Sequence, residues 1–134
     1  MSRRIASIVF LIDSVIMGLG SLGHCYSVHR VHEAIDKFPI DPVISQTLYI
    51  VWYSVSGTQL LFGAILIWIW LKVRAGDRSS LPIANLIGIF NLFLGICAIV
   101  YRHGDPFWSL FIVLGALLLA SSYALKTASA PNQN

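Results

Sequence analysis

Apolar residues in this chain come in long unbroken blocks, without the strict alternation of a half-buried strand or the one-sided stripe of a soluble helix. Four blocks stand out: Ile5 to Cys25, Leu48 to Leu71, Leu81 to Tyr101 and Phe107 to Leu125. Each approaches or exceeds the ~20 residues a helix needs to cross the hydrocarbon of a bilayer. In each, apolar side chains surround the helix on every side, as lipid requires of a segment that satisfies its own backbone hydrogen bonds. The pattern predicts an all-α integral membrane fold, a four-helix transmembrane bundle filling one domain over residues 1–134, with a polar cytoplasmic tail over 126–134. Between the first two blocks, Val28, Val31, Ile35 and Phe38 recur at helical spacing among His29, Arg30, Glu33, Asp36 and Lys37. The first helix is therefore expected to run on past the membrane or to be followed by a short interfacial helix, ended by Phe38-Pro39-Ile40-Asp41-Pro42.

Composition agrees: 57% of the 134 residues are hydrophobic and 11% charged, and a soluble core cannot absorb that imbalance. Arg3, Arg4, Lys72, Arg74, Arg78 and Lys126 flank the blocks on one side, against Arg30, Lys37 and Arg102 on the other. The positive-inside bias then puts both termini in the cytoplasm, with the inner membrane of a bacterium as the expected location. Topology accounts for the net charge of +3, so the charge is no argument for nucleic acid. A basic leader before an apolar run also describes a signal peptide, but no A-x-A site follows, and the first span is expected to be retained. Tyr26, Tyr49, Trp52, Tyr53, Tyr101 and Trp108 mark one interface and Trp68, Trp70 and Tyr123 the other. Asp105, and Ser79 or Ser80, are candidate N-caps for the last two helices.

Gly18-Leu19-Gly20-Ser21-Leu22-Gly23 matches the dinucleotide fingerprint in letters only, since it lies inside an apolar block with no strand before it. On a helix, Ser14, Gly18, Ser21 and Cys25 form a small-residue stripe that lets a neighbouring backbone approach, and Gly88 and Gly95 flank Asn91 in the same way.

The residue with most functional content is Asp13, because an ionisable group inside a span costs ~2.5 to 3.5 kcal/mol on insertion scales and commonly marks a site. At 1.5 Å per residue Asp13, Gln59 and Asn91 come to roughly 12, 18 and 15 Å from the cytoplasmic boundary, one polar layer from three helices. Gln59 shares a face with Trp52, Ser56 and Gly63, and Asp13 one with Gly20 and His24. Such a layer serves either as hydrogen-bonding glue, worth ~0.6 kcal/mol per contact on average, or as a proton-coupled site. A second constellation gathers at the opposite end. His24, His29, His32, Glu33 and His103 are candidate metal ligands, with His29, His32 and Glu33 at i, i+3 and i+4 suited to zinc or copper. Facing haem ligands are lacking. Cys25 and Cys97 come to similar depth, which leaves a disulfide or two inert thiols.

A four-span chain of this size with Asp13 in its first span resembles, in gross plan, the small multidrug resistance transporters, whose carboxylate exchanges protons for a cationic drug. The resemblance is architectural: their acid is typically a glutamate after alanine and their loops are short, whereas Asp13 follows Ile12 and the first loop is long. The quinone-linked disulfide-forming enzymes are excluded by the lack of paired C-x-x-C motifs. No phosphate loop, carboxylate pair or serine, histidine and acid set points to an enzyme. The favoured expectation is a non-enzymatic packing, accessory or interaction protein of the bilayer, self-associating or docking on a membrane partner, with no cofactor. The alternatives are a proton-coupled transporter using Asp13, and a metal-binding protein using the His24 to His32 segment.

Overall fold

The computed structural model describes residues 1–38 and 40–127. Among them are five α-helices and no strand: α1 Arg3–Tyr26, α2 His29–Lys37, α3 Pro42–Arg74, α4 Leu81–Tyr101 and, after a 3-10 turn at Pro106–Trp108, α5 Ser109–Thr127. Four segments are long and apolar enough to cross a membrane: α1 with α2, α3, α4, and α5 with its 3-10 turn. The chain forms two compact units, one of residues 1–13 and 66–134, the other of residues 14–65. The sequence expected the second long helix at Leu48, but α3 opens at Pro42. Asp41 accepts the amide of Val43 at 2.8 Å, and Pro42 loses nothing where no backbone N–H is needed. The expected helix after the first span is present as α2, set off by a turn at Ser27 and Val28.

Helix ends are built from local chemistry. The amide of Asp77 reaches the carbonyl of Lys72 at 2.9 Å and that of Gly76 reaches Val73 at 3.1 Å, with Gly76 at φ +96°, the paired closure of a Schellman motif. The end of α4 repeats it, Gly104 to Ile99 at 2.9 Å and His103 to Val100 at 3.4 Å. Here a histidine, His103, takes the left-handed position at φ 52°, which usually falls to glycine. Asp105 caps the last segment as expected, accepting from the Phe107 amide at 3.0 Å. Ser80 does not cap α4. Asp77 takes the amide of Ser79 at 2.8 Å and pairs with Lys72 at 2.9 Å. The Ser79 hydroxyl first, then the Lys72 ammonium, hold this carboxyl below the usual carboxylate range.

Each long helix buries one stripe. On α1 it is Ala6, Phe10, Asp13, Ser14, Met17 and Ser21; on α3 Ser56, Gln59, Gly63, Leu66, Ile69 and Val73. On α4 it is Leu81, Ala84, Ile87, Gly88, Asn91 and Gly95, and on α5 Leu114, Gly115, Leu118, Ser121, Ser122 and Leu125. Spacings of three and four residues keep each set on one side. The outward faces carry Leu19, Leu86, Phe93 and Val100, each more than half exposed. Buried polar residues among the apolar ones, and bulky apolar residues left exposed, both depart from the soluble arrangement.

Glycine sets the closest approaches. Within the 14–65 unit, a Cβ on Gly63 would lie 2.8 Å from the Gly18 Cα and 3.1 Å from the Ser14 carbonyl oxygen, so Ser14 and Gly18 act as the expected stripe. Cys25, its fourth member, is only half-buried. In the other unit α4 and α5 run antiparallel, and a Cβ on Gly115 would meet the Gly88 carbonyl oxygen at 2.6 Å and the Leu92 amide at 2.8 Å. Backbone cannot yield as a side chain can, and overpacking of this kind costs about 1–3 kcal/mol. Gly115→Ala is expected to lower thermal stability in detergent by that amount, whereas Gly20→Ala, with nothing within 4 Å of the new methyl, should melt no lower than the parent.

Candidate functional site

Asp13 sits on the buried stripe of α1 at 1% exposure. Its inward direction follows from helical phase: Ala6, Phe10, Met17 and Ser21 lie three or four positions apart on the same side, and Ile12 and Ile16 point outward. The burial continues at Ser21, and His24, on the expected face of Asp13, is half-buried. Gly20 is exposed. Neither carboxyl oxygen of Asp13 has a hydrogen-bond partner among the described residues. No lysine or arginine interrupts the four apolar blocks to neutralise it.

Asn91 belongs to the same unit and is fully buried. Its amide NH2 donates to the Ile87 carbonyl of its own helix at 2.9 Å, while its side-chain oxygen is unsatisfied. The hydroxyl of Ser122, at 1% exposure on α5, is likewise without a partner. Every buried side-chain oxygen left unsatisfied among the described residues thus comes from Asp13, Asn91 or Ser122. All three belong to the unit formed by residues 1–13 and 66–134. Leaving such a group unpaired costs about 1–3 kcal/mol, more if charged. Asp13 and Asn91 present acceptor oxygens and Ser122 a hydroxyl that donates or accepts, so what satisfies Asp13 must bring a proton, a cation or an O–H or N–H group. Gln59 also faces inward, at 7% exposure, but belongs to the other unit. Ser122 was legible as a hydroxyl breaking the last apolar block, yet only its burial distinguishes it from the other serines.

Two of the histidines, His24 and His32, tie helices together. In the 14–65 unit His24 stacks on Trp52 with ring centroids 4.2 Å apart, and its Nδ1 lies 2.8 Å from the Ser56 hydroxyl oxygen. The Trp52 indole N–H donates to the His24 carbonyl at 2.8 Å. Ser56 has one proton, and it is directed at the Trp52 carbonyl at 3.1 Å. One turn and more along, the Tyr49 hydroxyl meets His32 Nδ1 at 2.7 Å, tying α2 to α3. His29 Nδ1 turns back to the Tyr26 carbonyl at 3.0 Å. The expected chelating face of His29, His32 and Glu33 is not assembled: among the described residues no three His, Cys, Asp or Glu side chains, His24 and His103 included, stand where they could hold a metal ion. Cys25 and Cys97 are free thiols, each in a different unit. Trp52, Ser56 and Tyr49, the partners of these histidines, carry no signal in sequence beyond helical phase.

No family model matches the chain, no curated protein matches it, and no solved structure does.

The indole of Trp52 both stacks and donates, and the two parts are separable. Trp52→Phe keeps an aromatic face for His24 but loses the N–H, and is expected to cost about 1 kcal/mol. Trp52→Ala loses both and should cost about 3 kcal/mol or more. Equilibrium unfolding in mixed micelles reads the two losses.

Proposed function

We propose that this chain is a small four-span membrane protein of the bacterial inner membrane, both termini cytoplasmic, in which Asp13 exchanges a proton for a monovalent cation. The observation that carries the reading is the buried Asp13 carboxyl with neither oxygen satisfied. Were Asp13 glue between helices, a donor would meet it, and among the described residues none does. A carboxylate left alone in so apolar a setting is prohibitively costly. The neutral acid is tolerated, and so is a carboxylate holding a cation. The two states carry the same charge: the proton leaves Asp13 for water as the cation arrives, and the reverse restores the acid. The membrane setting is supported by four long apolar helices and by six cations flanking one side of the apolar blocks against three on the other.

A packing or accessory role is the second reading. It is favoured by the glycine contacts at Gly18 with Gly63 and at Gly88 with Gly115, which account for association of helices without any chemistry at Asp13.

The two part at one substitution. Purified protein in liposomes carrying an imposed proton gradient is expected to dissipate it when monovalent cations, from sodium to lipophilic ethidium, are supplied outside. Asp13→Asn should fold and elute as the parent does while reducing that flux to the level of empty liposomes, and Asp13→Glu should restore part of it. Equal flux from the parent and Asp13→Asn, or none from either, would leave only the packing role.

A further inference from the structure

The described parts of α4 and α5 contain no acidic residue, and the corner where α4 begins and α5 ends is cationic. A groove opens there between the two helices, lined by Asn85, Ile89, Leu119, Tyr123, Lys126 and Thr127. Its chemistry is graded along its length. The outer end carries the Asn85 amide, the Tyr123 and Thr127 hydroxyls and the Lys126 ammonium. One helical turn deeper the walls are Ile89 and Leu119, apolar only, and Ile89 is 54% exposed. Leu119 is held in place from behind, since it lies against Gly88 closely enough that a Cβ there would come within 3.0 Å of it. A second cation reinforces the polar end, the Arg78 guanidinium donating to the Lys126 carbonyl at 3.2 Å. The Thr127 hydroxyl is anchored on the Tyr123 carbonyl at 3.0 Å. Asp77, the nearest acid in sequence, is already spent on Lys72 and Ser79.

From this gradient we infer that the α4 and α5 groove binds one anionic phospholipid from the inner leaflet, its phosphate against Lys126 and the hydroxyl and amide groups, its acyl chain along Ile89 and Leu119. A zwitterionic lipid brings its own cation to a corner that already has two. An anionic headgroup such as phosphatidylglycerol brings none and meets the Lys126 ammonium with its phosphate. An interfacial tyrosine and lysine above an apolar wall also match the depth at which a headgroup meets its chains. The inference rests on the membrane setting proposed above but not on exchange at Asp13.

Native mass spectrometry of the full chain released from nanodiscs of phosphatidylcholine mixed with phosphatidylglycerol tests it. The parent is expected to retain one phosphatidylglycerol in preference to phosphatidylcholine, and Lys126→Gln to weaken that preference about fivefold, the ~1 kcal/mol of one juxtamembrane cation converted at tenfold per 1.4 kcal/mol. Arg4→Gln, which removes a cation flanking the same side outside the groove, should leave it unchanged. Equal retention of the two lipids by the parent, or an equal loss in Arg4→Gln and Lys126→Gln, would overturn the site as diffuse attraction. Displacement of the lipid by inorganic phosphate would overturn the acyl-chain half of the inference. Failure of the chain to enter either bilayer would overturn the membrane setting itself.

Discussion

A polar group removed from water must find its partner inside the chain, and in this protein that constraint falls on buried stripes that carry polar residues among apolar ones. The buried stripes hold Asp13, Ser14, Ser21, Ser56, Gln59, Asn91, Ser121 and Ser122, while Leu19, Leu86, Phe93 and Val100 face outward. Backbone groups are satisfied within the helices, and most of these hydroxyls turn to carbonyls of their own helix, as Ser21 does to Gly18 at 2.6 Å and Ser121 to Leu118 at 3.1 Å. Small side chains bonded in this way leave helix faces smooth, which is what allows Gly63 to lie against Gly18 and Gly115 against Gly88. Close packing and polar interior are therefore one arrangement. The exceptions are Asp13, Asn91 and Ser122, whose oxygens that self-bonding does not reach.

Aromatic residues near the ends of the helices do a different task. The Trp70 indole donates to the Ser7 carbonyl at 3.0 Å beneath the Arg74 guanidinium, which lies 4.9 Å from the ring centroid. Lys72 covers Trp68 at 4.7 Å in the same way. The other unit has its counterpart in Trp52, Ser56 and Tyr49 on α3, which hold His24 and His32. Cations over indoles at one end and imidazoles against hydroxyls in the other unit are the contacts open to side chains with an apolar body and a polar tip.

Much of this was legible because lipid demands so little of a sequence. The four long apolar helices, the inward turn of Gln59 and Asn91, the Asp105 cap and the stripe from Ser14 to Ser21 all follow from block length and helical phase. What phase does not give is burial: Gly20 shares the phase of Asp13 yet is exposed, and Ser21, about 100° further round, is buried. The start of α3 was missed because Val43 to Thr47 mixes polar residues into its first turn, where Asp41 and Pro42 carry the helix signal. Ser80 looked like a cap, but Asp77 had already organised the turn. The histidine cluster suggested metal because i, i+3 and i+4 spacing ignores what lies opposite. Tyr49, Trp52 and Ser56, far away in sequence, claim two of those imidazoles for hydrogen bonding.

The account turns on whether Asp13 surrenders a proton when a cation binds. Titration calorimetry of the purified protein with one responsive cation, in buffers of different ionisation enthalpy, counts protons released per cation bound. One proton per chain, falling to none in Asp13→Asn at unchanged fold, is the predicted result. Cation binding with no proton release from the parent, or the same release from Asp13→Asn, would contradict it.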